Sequence, residues 1–157
     1  MKDIQYTKGD ATSPQASGSK IIVHVCNDIG GWGKGFVVAI SKRWKDLEKQ
    51  YREWFRSKDN FELGKVQFVQ VEEDLWVANL VGQHDIIVKN KNREMPIRYN
   101  AIEEGLKTVS DFAITNKASV HMPRIGCGLA GGKWEMIEPI ILKTLSDKNV
   151  EVVVYDF

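Results

Sequence analysis

The run Lys20-Ile21-Ile22-Val23-His24-Val25-Cys26-Asn27-Asp28-Ile29-Gly30-Gly31-Trp32-Gly33-Lys34-Gly35-Phe36 decides the fold. Four of its first six residues are apolar and β-branched, the pattern of a strand buried on both faces. A glycine-rich segment follows. Beyond it Phe36, Ile40, Trp44, Leu47, Tyr51 and Trp54 recur at spacings of four and three, which predicts one amphipathic helix. Strand, glycine loop and helix in succession form the repeating unit of an α/β sheet.

The same alternation extends outward in both directions. Ile4-Gln5-Tyr6 reads as a short first strand. Residues 66–71 and 75–81 read as two strands joined by the acidic turn Glu72-Glu73-Asp74. A polar basic segment at 89–93 reads as a solvated loop, and Pro96 stands just before a second helix carrying Ile102, Leu106, Val109 and Ala113 on one face. Residues 119–122 form a short strand ending at Pro123, followed by a second glycine loop at 126–132. A third helix carries Ile137, Ile141 and Leu145, with Pro139 in its first turns, where a missing N–H is tolerated. Residues 151–157 form a last strand of high β propensity. The first and last strands are not followed by helices, so the sheet need not be purely parallel.

At 157 residues the chain is expected to be one domain, spanning 1–157. A formal charge of +1 gives no electrostatic footprint for duplex nucleic acid or an anionic membrane. The longest apolar stretches are about half the length of a spanning helix. The start, Met1-Lys2-Asp3-Ile4-Gln5, carries no apolar signal region. Two cysteines make no disulfide framework, so a reducing cytoplasm is the expected compartment, with no membrane partner.

Each glycine loop joins a strand to a helix. Glycines let the backbone approach a ligand, successive N–H groups can cradle an anion, and the helix start adds unpaired donors. Two such loops at the same strand ends could grip both phosphates of a diphosphate. The alternative is a pair of tight turns whose glycines serve geometry alone. Known phosphate motifs fail. A Walker loop counted back from Lys133 puts Cys127 at its first glycine and Trp134 at its hydroxyl. The dinucleotide pattern beginning at Gly31 and Gly33 meets Phe36 at its third glycine. Cys127 and Lys133 have phosphatase-loop spacing, but lysine replaces the clamping arginine, and Cys127 reads better as a small buried residue.

His24, His84 and His121 lack metal-ligand spacing, and no cofactor is implied. His24 ends a buried strand three residues before Asn27 and reads equally as a core or a functional histidine. His121 reads as structural. Of five tryptophans, four read as core and Trp32 as the exception, because it sits inside a glycine loop.

Four segments in order carry a resemblance. They are Lys8-Gly9-Asp10-Ala11, the loop from Asn27 to Gly35, the block Met122-Pro123-Arg124-Ile125-Gly126-Cys127-Gly128-Leu129, and the ending Val154-Tyr155-Asp156-Phe157. Together they resemble the macrodomain, an ADP-ribose-binding module, in the branch containing ADP-ribose 1″-phosphate phosphatases and terminal ADP-ribose protein glycohydrolases. The resemblance implies a three-layer α/β/α fold with a mixed sheet of about six strands. It implies ADP-ribose, ADP-ribose 1″-phosphate or ADP-ribosylated macromolecules as partners.

By the same resemblance Asp10, beside Ala11, accepts the adenine amino group and Tyr155 lies near the adenine ring. Gly31, Trp32, Gly33, Lys34 and Gly35 hold the distal ribose and a phosphate. Gly126, Cys127, Gly128, Leu129 and Ala130 form the second phosphate loop. Asn27 falls near the distal ribose, His24 matches a histidine of the phosphatase-like members, and the two are expected to be catalytic, polarising or positioning water. Acting as general acid or base, His24 would impose a pH dependence near 6.5, allowing for a shift of about a unit. Two departures stand out. Gln83 occupies the position of the lysine that forms a covalent sugar adduct in glycohydrolases, and Ala130 that of the assisting aspartate. Without that amine there is no Schiff base, so the covalent route is disfavoured. The expected activity is hydrolysis of the distal substituent, with ADP-ribose 1″-phosphate as substrate. The alternatives are a binding module without turnover, or de-ADP-ribosylation by another residue set.

Overall fold

β2 (Lys20–Asn27) is the centre of the molecule. It pairs in parallel with β4 (Leu75–Gln83) on one side and with β5 (Ser119–Met122) on the other. β6 (Val152–Asp156) adds in parallel beyond β5, and β1 (Gln5–Lys8) in parallel beyond β6. β3 (Val66–Glu72) closes the opposite edge, antiparallel to β4, giving the six-stranded order β1-β6-β5-β2-β4-β3. The computed structural model describes residues 2–85, 95–128 and 130–157, so the basic segment expected at 89–93 lies outside the described residues.

The sheet is mixed, but for a different reason than the strand pattern suggested. Both terminal strands are parallel to their neighbours, and the reversed strand is β3. The turn between Glu72 and Leu75 is too short for a crossover and can only send the chain back alongside itself.

Alternation along β2 assigns the two faces. Ile21 and Val23 join Ile102, Leu106, Val109, Ile137 and Ile141 in one buried cluster, beneath α3 (Tyr99–Asn116) and α4 (Trp134–Thr144). Ile22 and Cys26 join Ile40, Leu47 and Tyr51 in the other, beneath α1 (Phe36–Arg43) and α2 (Asp46–Ser57). Three layers result, with apolar burial on both faces as the main stabilising term. α3 approaches β4 closely at Gly105, where a Cβ would lie 2.4 Å from the Leu80 side chain.

The single helix read from Phe36 to Trp54 is two. Trp44 takes extended backbone angles, φ −133° and ψ 90°, and ends α1. The break changes direction without changing the spacing of apolar residues. Ile40 of α1 and Leu47 and Tyr51 of α2 therefore all reach the same face of a twisted sheet, which one straight helix would leave. Pro139 is the sixth residue of α4, in its second turn. Among the described residues, no helix is long and apolar enough to cross a membrane.

Candidate functional site

Because β1, β6, β5, β2 and β4 are parallel, the segments that follow them leave from one end of the sheet. Both glycine loops open there on one cleft of about 210 Å³. Lys34, Gly35, Phe36 and Val37 line it from the first loop and the start of α1. Pro123, Arg124, Ile125, Gly126, Gly128 and Ala130 line it from the second, with His24, Val25 and Gln83 also at its wall. A crevice beyond strand carboxyl ends is the usual ligand site of such sheets.

The first loop is held by Asn27. Its side-chain oxygen accepts from the N–H groups of Ile29 (3.0 Å) and Gly31 (2.9 Å), and its amide donates to the Gly31 carbonyl (2.9 Å). The Tyr51 hydroxyl donates to the Asn27 carbonyl at 2.7 Å. Asn27 was expected near the reacting end of a ligand. Its amide is bonded to the loop backbone, and it is not among the residues that line the cleft. Gly35, with φ 84°, caps α1 without a side-chain hydrogen bond, and the Val38 N–H donates to its carbonyl at 3.1 Å, so the helix opens into the cleft with no side-chain cap on its first turn.

Trp32 departs from its expected place. It is buried with the core under α1 and α2, its ring 5.3 Å from Tyr51 and edge-on to His24 at 5.5 Å, while its indole N–H donates to Ser41. A large apolar ring next to a packed helix pair gains more by burial than by exposure in the loop. Cys127 turns toward the core beneath α3 and α4, and burial raises its pKa against a smaller lowering by Arg124. A protonated thiol is no nucleophile. Leu129 lies outside the described residues.

His24 is 2% exposed. Its Nε2 meets the side-chain oxygen of Asn79 at 2.5 Å, and its Nδ1 is buried without a partner among the described residues. Burial pulls its pKa from 6.5 to about 4, against the opposing bond to Asn79. The ring is therefore neutral near neutral pH, which replaces the expected titration near 6.5. Gln83 and Ala130, the two departures from the glycohydrolase pattern, both face this cleft.

Asp10 and Tyr155 come together in a second cavity of about 700 Å³, along β1 and β6. Asp10 accepts from the Thr12 N–H (2.9 Å) and hydroxyl (2.7 Å), with Arg43 at 3.9 Å. Burial raises its pKa, but Thr12 and Arg43 outweigh it and hold the carboxyl below its usual range. Ala11 is buried beside it, 3% exposed, and lines neither cavity. Between the two cavities stands Arg124, which the sequence reading passed over. It lines the cleft, pairs with Asp156 through two bonds of 2.6 and 3.0 Å, and packs over the rings of Tyr6 and Trp134. Its place at the head of the second loop was the available signal.

No family model matches the chain. A solved structure from Bacteroides thetaiotaomicron is 59% identical, with a TM-score of 0.96 over 99% of this chain and 98% of that one. A macrodomain protein from Streptomyces coelicolor is 50% identical, with a TM-score of 0.87 over 99% of both chains. The chromodomain-helicase-DNA-binding protein 1-like of Danio rerio is 35% identical over 97% of this chain, which spans only 15% of that protein. An ADP-ribose 1″-phosphate phosphatase of Meyerozyma guilliermondii is 26% identical over 98% of this chain and 100% of its own. Identity of 50% to the Streptomyces protein along the whole chain, on the same fold, places this chain in the macrodomain family.

Proposed function

We propose that the protein binds ADP-ribose across both cavities and hydrolyses the substituent on its distal ribose, with ADP-ribose 1″-phosphate as substrate. One observation carries the reading. Gly30, Gly35, Gly126 and Gly131 have positive φ, and Gly132 lies against the Gly126 carbonyl, so the fold itself requires glycine there. Gly33 and Gly128, one in each loop, have neither need: their φ is ordinary and an added Cβ would meet nothing within 4 Å. Close approach of a ligand to the backbone is the remaining use of glycine at such positions. The start of α1 without a side-chain cap, with Lys34 and Arg124 on the cleft wall, suits the negative charge of phosphate.

The ionised carboxylate of Asp10 suits the amino group of adenine, and the Tyr155 ring gives it an apolar surface. The distal ribose then falls toward His24 and Gln83. ADP-ribosylated macromolecules present the same distal ribose and are a second source of ligand. The free thiols Cys26 and Cys127 suit a reducing cytoplasm, where we place the protein.

Gln83 and Ala130 in the cleft favour a second reading, a binding module without turnover. Phosphate release from ADP-ribose 1″-phosphate, measured beside a calorimetric titration with ADP-ribose, separates the two. Release above the uncatalysed background is the expected result. Tight binding without release would leave the second reading, and no binding would overturn both.

A further inference from the structure

We infer that Asn79 and Gln67 are positioning residues that set the tautomer of His24, presenting its Nδ1 lone pair to a hydroxyl or water proton at the cleft floor. The inference rests on the reading above for its chemistry, but not for its geometry.

The three residues form one row across the sheet. His24 of β2 is in register with Asn79 of β4, and Asn79 with Gln67 of β3. At the far end, the Gln67 amide donates to the main-chain carbonyl of Gln50 in α2 at 3.2 Å. That carbonyl is an acceptor and nothing else, so it fixes which end of the Gln67 amide faces it. The Gln67 oxygen must then face Asn79 and accepts from its amide nitrogen at 2.9 Å. The Asn79 oxygen is thereby turned to His24, whose Nε2 must carry the proton that bridges them. A neutral imidazole has one N–H, so Nδ1 is left as a bare acceptor.

Among the described residues nothing uses that acceptor. Asn79 is fully buried, His24 is 2% exposed, and Nδ1 has no partner among the described residues. A buried lone pair costs free energy unless something donates to it. The Cys26 sulfur, 3.8 Å from Nε2, is on the wrong nitrogen to help. His24 borders the cleft, and we assign the missing donor to a ligand hydroxyl or bound water there, which has to reach a nitrogen that is itself closed to solvent in the free protein.

In turnover Nδ1 takes a proton from the attacking water, whose oxygen bonds to phosphorus. The phosphorus–oxygen bond to the sugar breaks, and the sugar oxygen takes its electron pair and then the proton from Nδ1. Nε2–H stays bonded to Asn79 throughout, and the Asn79 oxygen stabilises the transient imidazolium. His24 therefore enters as a base.

The test uses Gln67→Leu, a change that touches neither His24 nor the cleft. Nitrogen NMR of the imidazole in the free wild-type protein should show Nε2 protonated and Nδ1 bare. In Gln67→Leu, Asn79 is free to turn its amide nitrogen toward His24, and a population with Nδ1 protonated should appear. The same variant should lower kcat for ADP-ribose 1″-phosphate by about tenfold, the cost of losing ~1.4 kcal/mol of transition-state positioning, with KM little changed. Gln67→Glu, whose carboxylate can only accept and so still holds the Asn79 amide nitrogen, should keep the wild-type tautomer near neutral pH. Wild-type protein with Nδ1 protonated, or a tautomer unmoved by Gln67→Leu, would overturn the inference. Both readouts on free protein hold whether or not ADP-ribose 1″-phosphate is turned over, so failure of the proposed function is seen separately.

Discussion

His24 of β2 and His121 of β5 lie on neighbouring strands and on the same face of the sheet. Both are buried, and burial pulls both pKa values to about 4. His121 has a partner on each nitrogen: Ser119 on Nε2 at 2.8 Å and the Tyr155 hydroxyl on Nδ1 at 2.7 Å. His24 has partners on Nε2 alone, Asn79 and more distantly Cys26, and among the described residues its Nδ1 is open. Neither burial nor pKa separates a core histidine from a functional one here. Hydrogen-bond accounting does distinguish the two rings, one satisfied completely and the other by half, and we assign the open nitrogen of the second to a ligand.

The comparison breaks most visibly with acid. Above about pH 6.5 both rings are neutral, folded or unfolded. As pH falls, the unfolded chain takes up protons first, while the folded rings resist until about 4. Stability should fall through that window and level below it, by on the order of 3 kcal/mol for each histidine. The lowered carboxyls of Asp10, Asp74, Glu103 and Asp156 act at more acid pH. Urea unfolding at pH 7 and pH 4.5 measures the difference, and a flat profile would mean that the rings are reached by solvent.

Substitution sharpens it next. His121→Leu takes a partner from the buried Tyr155 hydroxyl and from the half-buried Ser119, which keeps a bond of 3.5 Å to the Ser19 carbonyl, and should cost about 2–3 kcal/mol. His24→Leu orphans only the Asn79 oxygen and should cost about half as much, while abolishing phosphate release. Equal losses of stability with release intact would return His24 to the core.

Much of this was legible in the chain. The buried run of β2, the two glycine loops and the apolar positions of α3 and α4 need only local patterns, and those patterns are read from spacing. What escaped depends on who stands beside whom. The break at Trp44 follows from the twist of a sheet whose strands had first to be placed. Burial of Trp32 follows from α1 and α2 folding back over its loop. Asn79 was visible as a polar residue inside the apolar run of β4, and Gln67 as one more polar residue of β3. Only the register, His24 with Asn79 and Asn79 with Gln67, turns them into a row.

The two cavities make a smaller contrast at the ligand. Asp10→Ala should weaken ADP-ribose binding by about tenfold or more, since a hydrogen bond to a charged group is commonly worth about 1.5–3 kcal/mol. Ribose 5-phosphate, which carries no adenine, should bind as before. Calorimetry on both ligands decides it, and an equal loss for both would place the damage in the fold through Thr12 and Arg43.

The smallest change tests the comparison from its other side. Tyr155→Phe removes one oxygen and leaves the ring, which is the part that faces the larger cavity. The hydroxyl points inward to His121, so its loss leaves His121 with an unpartnered Nδ1, the situation of His24. The cost should be about 1 kcal/mol of stability, a single neutral hydrogen bond. ADP-ribose affinity should stay within about twofold, because an aromatic face stacks as well without its hydroxyl. A tenfold loss of affinity at unchanged stability would mean that the hydroxyl, and not the ring, meets the ligand. The adenine end would then recognise polar groups through Tyr155 as well as Asp10, and His121 would belong with His24 as a residue that serves the ligand through its neighbour.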